Sequence, residues 1–461
     1  MARYEADGKV SFLYGGDYNH YDATDYSFNC NGIIAPDRTP QAHAYEVRYQ
    51  YQSIWTTPID LASGLIEVYN ENFFIDLSGY KLNWQLLADG EAVQGGCIEE
   101  LNVAPQQRRN YKLDYDLSAI PATTREVLLN VEYVAREKQP LLPLNHVVAY
   151  DQMVIKQYDT MAAFGMQPSQ RPIRITRFEK AINVEGYDWT VSFGRNGYIS
   201  RMEYGTLSMM PDGASLRPNF WRAPTENDWG AGLHKRFAVW RDPVITLQSF
   251  RYEIADHCAI VTAQYNLPDV DAQMTITYTI NGEGEIAVTQ SMQATAGAEH
   301  PNMFRYGMRM EMPARYNMVE YYGRGAVENY SDRKSGANIG LYSQPVATMY
   351  NDHLVRPQES GTRSDLRYYK VIDTSGAGIR IIASAPFSAS ALPYSIEALD
   401  LSRNDYRRHS GQLQPDGMTH ICFDLVQQGL AGINSWGAWP LEPYRVPYQD
   451  YTFNFIISPL R

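Results

Sequence analysis

The chain begins with a strand–loop–helix unit that has no partner strands before it. Val10 to Tyr14 read as a strand that runs into Gly15-Gly16, Asp17 and Tyr18. A loop through Asn31-Gly32-Ile33-Ile34-Ala35-Pro36-Asp37-Arg38 follows. A helix is predicted from Thr39-Pro40, with Thr39 as N-cap and Pro40 in the first turn. Pro40, Ala44, Val47 and Tyr51 fall on one face of it. A single unit of this kind cannot bury both of its faces. The sequence therefore implies that the rest of a barrel lies outside it.

Beyond the helix the pattern changes to strands. Leu82-Asn-Trp84-Gln-Leu86 alternates, Asp89-Gly90 offers a hairpin turn, and Glu91-Ala-Val93 resumes. Val127 to Val134 is another strand, and about seven strands in this stretch fit a small immunoglobulin-like sandwich, with Arg136 to Pro143 as a loop. Residues 160–175, with Gly165, Pro168 and Pro172, read as a linker. Two hairpins stand out further on. One is Trp189–Phe193 with Tyr198–Met202; the other is Met274–Ile280 with Ile286–Val288, joined by Asn281-Gly282-Glu-Gly284. So long a run of strands exceeds one immunoglobulin domain and fits a large two-sheet sandwich. No repeat at propeller spacing is evident.

Bulk properties exclude some partners. At 461 residues the chain is long enough for two or three domains. A formal charge of −12 argues against nucleic acid and anionic membranes, which need basic patches. No apolar run approaches the length of a membrane span. Cys30, Cys97, Cys258 and Cys422 form no CxxC pair, so buried free thiols are expected rather than a disulfide framework or a zinc site.

Several motifs carry a specific resemblance. They are Tyr14-Gly-Gly-Asp17, Phe28-Asn-Cys-Asn31-Gly32, Asp37-Arg38-Thr39-Pro40 and Phe220-Trp-Arg222-Ala223-Pro224-Thr-Glu-Asn227-Asp228-Trp-Gly230. Further along come Gly325-Ala-Val-Glu328-Asn329-Tyr330-Ser-Asp332-Arg333, Pro357-Gln358-Glu359-Ser-Gly361-Thr-Arg363 and Gly432-Ile-Asn-Ser435-Trp436. In this order the chain resembles the C-terminal portion of the large multidomain β-galactosidases, retaining glycoside hydrolases of family two. The resemblance implies a mainly β chain: the last βα unit of a (β/α)₈ barrel over 1–52, an immunoglobulin-like sandwich over 53–165, and a galactose-mutarotase-like supersandwich over 172–461.

It also implies site residues. No catalytic residue is assigned here, because the family's two glutamates lie on barrel strands before the last one. The chain alone is expected to be inactive. Trp436 matches an aromatic platform at the mouth of the sugar pocket, where an indole face suits sugar C–H groups. Gly230 matches the start of a mobile loop. The Phe28 carbonyl and the Asn31 amide oxygen match part of a sodium site, an oxygen-only set that suits a hard cation. Magnesium is implied for the full enzyme. So are β-galactoside sugars, the absent N-terminal and barrel domains, and a homo-oligomer. The compartment, bacterial cytoplasm or periplasm, stays open.

Other constellations read as structural. Asn70-Glu71 mimics the family's acid/base dipeptide but falls between the strand candidates Ile66–Tyr69 and Phe73–Ile75, and so is expected to be a turn. Glu226, Asn227 and Asp228 are a second decoy. Asp17 follows the last barrel strand, where barrel active sites are built, and is expected to be structural or to support site residues rather than to be catalytic; Asp17, His20, Asp22 and Asp25 read as a solvated acidic loop. Glu359 and Arg363 are expected to form a buried ion pair or to line a cleft. The rival reading is a stand-alone carbohydrate-binding or aldose-epimerase-like protein, with His300, His353 and His409 as available bases. Fold analogy alone supports it.

Overall fold

The computed structural model describes residues 2–19, 21–24, 30, 32–138, 140–178, 181–402, 408–434 and 436–461. Strands dominate them. The chain divides into two compact units. One comprises Ala44–Asp159 and Ser335–Leu341; the other comprises Met1–His43, Thr160–Lys334 and Tyr342–Arg461.

The smaller unit is a seven-stranded sandwich, as the strand count predicted. Ile54–Asp60, Leu65–Asn70 and Arg108–Lys112 form one antiparallel sheet; Glu91–Ile98, Tyr80–Ala88, Val127–Ala135 and Val147–Lys156 form the other, in that order. Period-two alternation places Ile66, Val68, Leu82, Trp84, Leu86, Val131 and Tyr133 in one core. The Asp89-Gly90 hairpin has positive φ at both residues, the geometry of a type I′ turn. Its Asp89 carboxylate accepts the backbone N–H groups of Arg125 and Glu126. Phe73–Ile75 is not a strand: it is irregular, and all three side chains are exposed. Asn70, fully buried, holds this turn by donating to the carbonyls of Ile75 and Val103. All four cysteines are free thiols, but only Cys422 is buried; Cys30 and Cys258 are half-buried, and Cys97 is exposed on the edge strand.

Gly64 in this unit has φ +81°, and a Cβ there would lie 2.2 Å from the Leu113 carbonyl oxygen. Gly64→Ala is expected to destabilise this unit by at least about 1–2 kcal/mol from the left-handed backbone alone, read as a lowered urea midpoint. An unchanged midpoint would show that the turn relaxes freely.

From residue 172 onward the described residues form three sheets rather than the expected two, apart from a two-stranded N-terminal ribbon in the same unit. A nine-stranded sheet has Ile286–Ala294, Tyr451–Leu460 and Gly378–Ala383 at its centre. A five-stranded sheet runs Arg217–Asn219, Arg305–Pro313, Met418–Gln427, Phe387–Leu392, Arg363–Leu366. The third, Arg174 to Ser208, holds the first predicted hairpin and lends Trp189, Val191 and Phe193 to the common core. The predicted linker is strapped down at Gln167, whose N–H donates to Glu285 and whose carbonyl accepts from Asn281 in the second hairpin's turn.

The N-terminal segment finds its partner in this unit. Val10–Phe12 is shorter than the predicted strand and pairs with Ala2–Tyr4. Phe12 and Tyr14 are buried with Val355, and Lys9 Nζ donates to the Leu413 carbonyl at 2.6 Å. The helix starts at Ala42 rather than at Pro40, which instead bridges to Ile34. Tyr51 lies beyond the helix end and is exposed, so the expected apolar face is not buried there.

Candidate functional site

Three of the motifs scattered in sequence, at 220–230, 325–333 and 432–436, meet at one loop. The strand Met418–Gln427 leads into residues 428–434, and polar side chains from two other segments hold the start of that stretch. Arg222, fully buried, donates Nη1 to the Gln428 carbonyl at 2.6 Å and Nη2 to the Gly429 carbonyl at 3.1 Å. Asn227 Nδ2 donates to the Leu430 carbonyl at 3.0 Å. Asp332 accepts the N–H groups of Leu430 and Ala431, each at 2.9 Å. The Gln428 and Gly429 N–H groups donate to the carbonyls of Phe304 and Tyr444. Gly429 is required by the close approach: a Cβ there would sit 2.3 Å from Asp332 Oδ2.

Each clamp is itself held. Arg222 makes a two-point pair with Asp228, Nε to Oδ2 at 3.0 Å and Nη2 to Oδ1 at 2.8 Å. Asp228 also accepts the Thr225 N–H, while the Thr225 hydroxyl accepts the Asp228 N–H, a reciprocal cap on the helix Glu226–Gly230. Glu226 pairs with Arg356. The second decoy therefore has a structural use, as expected, and Asn227 has a further one that the sequence did not suggest.

Beyond this anchored base the loop projects. Trp436 is 80% exposed. Asn434 Oδ1 accepts the N–H groups of Trp436 and Ala438 and so rigidifies the tip. Gly432 and Gly437, at φ +123° and +109°, supply backbone angles that other residues rarely adopt. The result is a large aromatic ring presented outward on a short, braced loop.

Gly230 closes the helix Glu226–Gly230, whose Asn227 reaches the Trp436 loop base; the left-handed residue nearby is Gly232, at φ +68°. Phe28 and Asn31 lie outside the described residues, as do His20 and Asp25. Among the described residues, no group of three or more His, Cys, Asp or Glu side chains is placed to hold a metal ion. Asp17 is structural: Oδ2 accepts the Tyr14 N–H at 2.8 Å, and Oδ1 meets Nε2 of the buried His409 at 2.7 Å.

The five-stranded sheet carries a second polar assembly. Tyr306, Met308, Met310 and Met312 enter the core, while the alternate positions Arg305, Gly307 and Arg309 occupy the other face. Arg305, 1% exposed, contacts Glu359 at 2.6 Å and Asp424 at 3.3 Å. The expected Glu359–Arg363 pair is not formed; Arg363 instead donates to the Tyr321 hydroxyl and to Gln344. Burial pushes the Asp424 carboxyl up to about 7, opposed by Arg305 and reinforced by the Glu359 charge. Sequence reading missed Arg305 and Asp424, although charged residues alternating with Met and Phe along two strands were the available signal. The histidines of the rival reading are dispersed: His300 pairs with Asp271, His353 with Asp37, and His409 with Asp17.

Fold and loop define a multidomain β-sandwich protein that displays a braced aromatic surface. Residues 185–457 match the family described as "Beta galactosidase small chain", residues 66–156 match "Beta-galactosidase, domain 4", and residues 1–56 match "Glycosyl hydrolases family 2, TIM barrel domain". The first match spans more than half of the chain, and the chain belongs to the β-galactosidase small chain family. The β-galactosidase of Priestia megaterium is 29% identical over 461 residues, covering 98% of this chain and 43% of that protein. That of Streptococcus thermophilus is 28% identical over 461 residues with the same coverage. The chain thus spans about 43% of the length of these curated relatives. A galactose 1-epimerase structure from Lactobacillus acidophilus NCFM aligns with 63% of this chain at 7% identity and a TM-score of 0.36. Among the described residues, no helix is long and apolar enough to cross a membrane.

Proposed function

We propose that this chain is the C-terminal part of a retaining β-galactosidase, and that it contributes the Trp436 loop to a sugar pocket completed by a barrel-bearing partner segment. The observation that carries the reading is the 80% exposure of Trp436 on a loop base clamped by Arg222, Asn227 and Asp332. An unsupported exposed indole would be a surface accident; here seven hydrogen bonds to and from the backbone of residues 428–431 anchor the loop base, and Asn434 accepts the Trp436 N–H. Fixed apolar rings suit the C–H faces of a pyranose. The sodium ligands Phe28 and Asn31, the magnesium requirement and the homo-oligomer belong to the same proposal.

The chain by itself is proposed to be inactive. Retention needs two carboxylates about 5 Å apart across a sugar-accessible cleft. Glu359 and Asp424, which do converge, are buried around Arg305. The test is aryl β-galactoside hydrolysis by the chain, alone and mixed with a polypeptide carrying the barrel and its preceding domains. Activity only on mixing is expected, with Trp436→Ala lowering kcat/KM about ten-fold, equivalent to about 1.4 kcal/mol. Turnover by the chain alone would defeat the proposal.

A further inference from the structure

A concavity lies in the larger unit. It encloses about 170 Å³ and is lined by Asn219, Trp221, Arg241, Arg309, Glu397 and Asp400, with Ile396 and Asp242 completing it. Asn219 and Arg309 stand on adjacent strands of the five-stranded sheet. Asn219, Trp221 and Asp400 are each less than 5% exposed.

The walls are rigid before any ligand arrives. Trp221 Nε1 donates to Asp400 Oδ2 at 2.8 Å, and Arg241 Nε lies 3.2 Å from the same oxygen with its guanidinium over the Trp221 ring. Asp400 Oδ1 accepts the Ser402 N–H at 2.8 Å and the Ser402 hydroxyl. Arg309 Nη1 meets Glu397 Oε1 at 2.6 Å. Such preorganisation lowers what a ligand must spend on ordering its site.

We propose that this cavity binds one neutral sugar ring, independently of Trp436. Three features set the ligand class. First, size: a cavity volume of about 10–15 Å³ on this measure holds one water, so this one holds on the order of ten such groups, close to the dozen non-hydrogen atoms of a hexose. Second, charge: two guanidinium groups face three carboxylates, Arg241 and Arg309 each already beside one. A charged ligand would meet opposition from one set or the other, and a neutral polyol meets none. Third, hydrogen-bonding capacity: a guanidinium carries five N–H donors and a carboxylate about four acceptor positions, and one contact to Glu397 leaves Arg309 with donors for hydroxyl oxygens. Adjacent donor and acceptor groups suit hydroxyls, which do both.

The test is calorimetric titration of D-galactose and of D-glucose into the whole chain, with intrinsic fluorescence followed in parallel. Saturable binding in the millimolar range is expected. Arg309→Met is expected to weaken it at least ten-fold, and Ile396→Trp, which fills the cavity, to abolish it. Leu441→Ala, at an exposed side chain outside the cavity lining, is expected to leave it unchanged. Thermal unfolding checks that each variant is folded; should Arg309→Met fail, Ile396→Trp decides. Absence of saturable binding by the unmodified chain overturns the proposal. So does binding that survives in the folded cavity variants. Failure of the β-galactosidase reading would alter none of these outcomes.

Discussion

Arg222→Met is expected to destabilise the larger unit by about 3–5 kcal/mol, the effect of removing one partner of a buried ion pair. The substitution preserves much of the side-chain length and the packing on Phe304, over whose ring the guanidinium lies. What it removes is charge and donors. Asp228, 2% exposed, would keep its capping bond from the Thr225 N–H but lose both guanidinium contacts. The Gln428 and Gly429 carbonyls would lose their Arg222 donors inside the fold. Asn227, Asp332 and two backbone bonds would remain at the loop base. Urea unfolding should show the lowered midpoint, and acrylamide quenching should show greater mobility of the Trp436 loop. The double variant Arg222→Met with Asp228→Leu should recover part of the loss, because it removes the stranded carboxylate as well. A single variant as stable as the parent would mean that the pair is dispensable and the loop anchored otherwise.

Asp424→Asn is expected to stabilise the protein at neutral pH and to remove a component of its stability that falls between pH 3.8 and about 7. One guanidinium, Arg305, faces two carboxylates, Glu359 and Asp424, in a site with almost no water access. One positive charge balances one carboxylate, so the second retains its proton, and Asp424 is pushed up to about 7 from 3.8. The sign follows from linkage. Between those two values the unfolded chain has released this proton and the folded one still holds it. Stability from this group therefore falls as pH rises, by about 1.4 kcal/mol per pH unit, and levels off once pH passes the folded value. Other carboxylates act in the opposite sense, so the diagnostic quantity is the difference between parent and Asp424→Asn across pH 4.5 to 7.5. A difference that does not grow with pH would show that Asp424 is ionised in the fold. Gly307 sets the geometry: a Cβ there would lie 2.3 Å from Asp424 Oδ1, so any side chain would displace the carboxyl.

The candidate site was only partly legible in advance. Trp436, its flanking glycines and the Arg222-to-Gly230 motif were all visible in the sequence, and a resemblance singled out the tryptophan. The reason for Asn227 was not visible, because its partner, the Leu430 carbonyl, is 203 residues away. Glu359 was matched with Arg363, four residues on, yet it pairs with Arg305 across 54 residues. Such a partner is chosen by which strands become neighbours, and nothing local to Glu359 encodes it. Phe73–Ile75 misled for another reason: aromatic and β-branched residues favour strands only where a neighbouring surface accepts them, and here none does.

What the sequence determined by itself was the local chemistry. Hairpins at Asp89-Gly90 and at Asn281 to Gly284, the seven strands of the small sandwich and the strand character of the rest follow from side-chain periodicity and backbone angles, which act over a few residues. What only the tertiary structure decided was convergence. Arg222, Asn227 and Asp332 reach one loop base, Arg305 gathers two carboxylates, and Phe12 and Tyr14 are buried beside Val355. Those pairings depend on strand order and on which face of a sheet is covered, and a hydrogen bond between distant residues forms only once the whole sheet has brought them within about 3 Å.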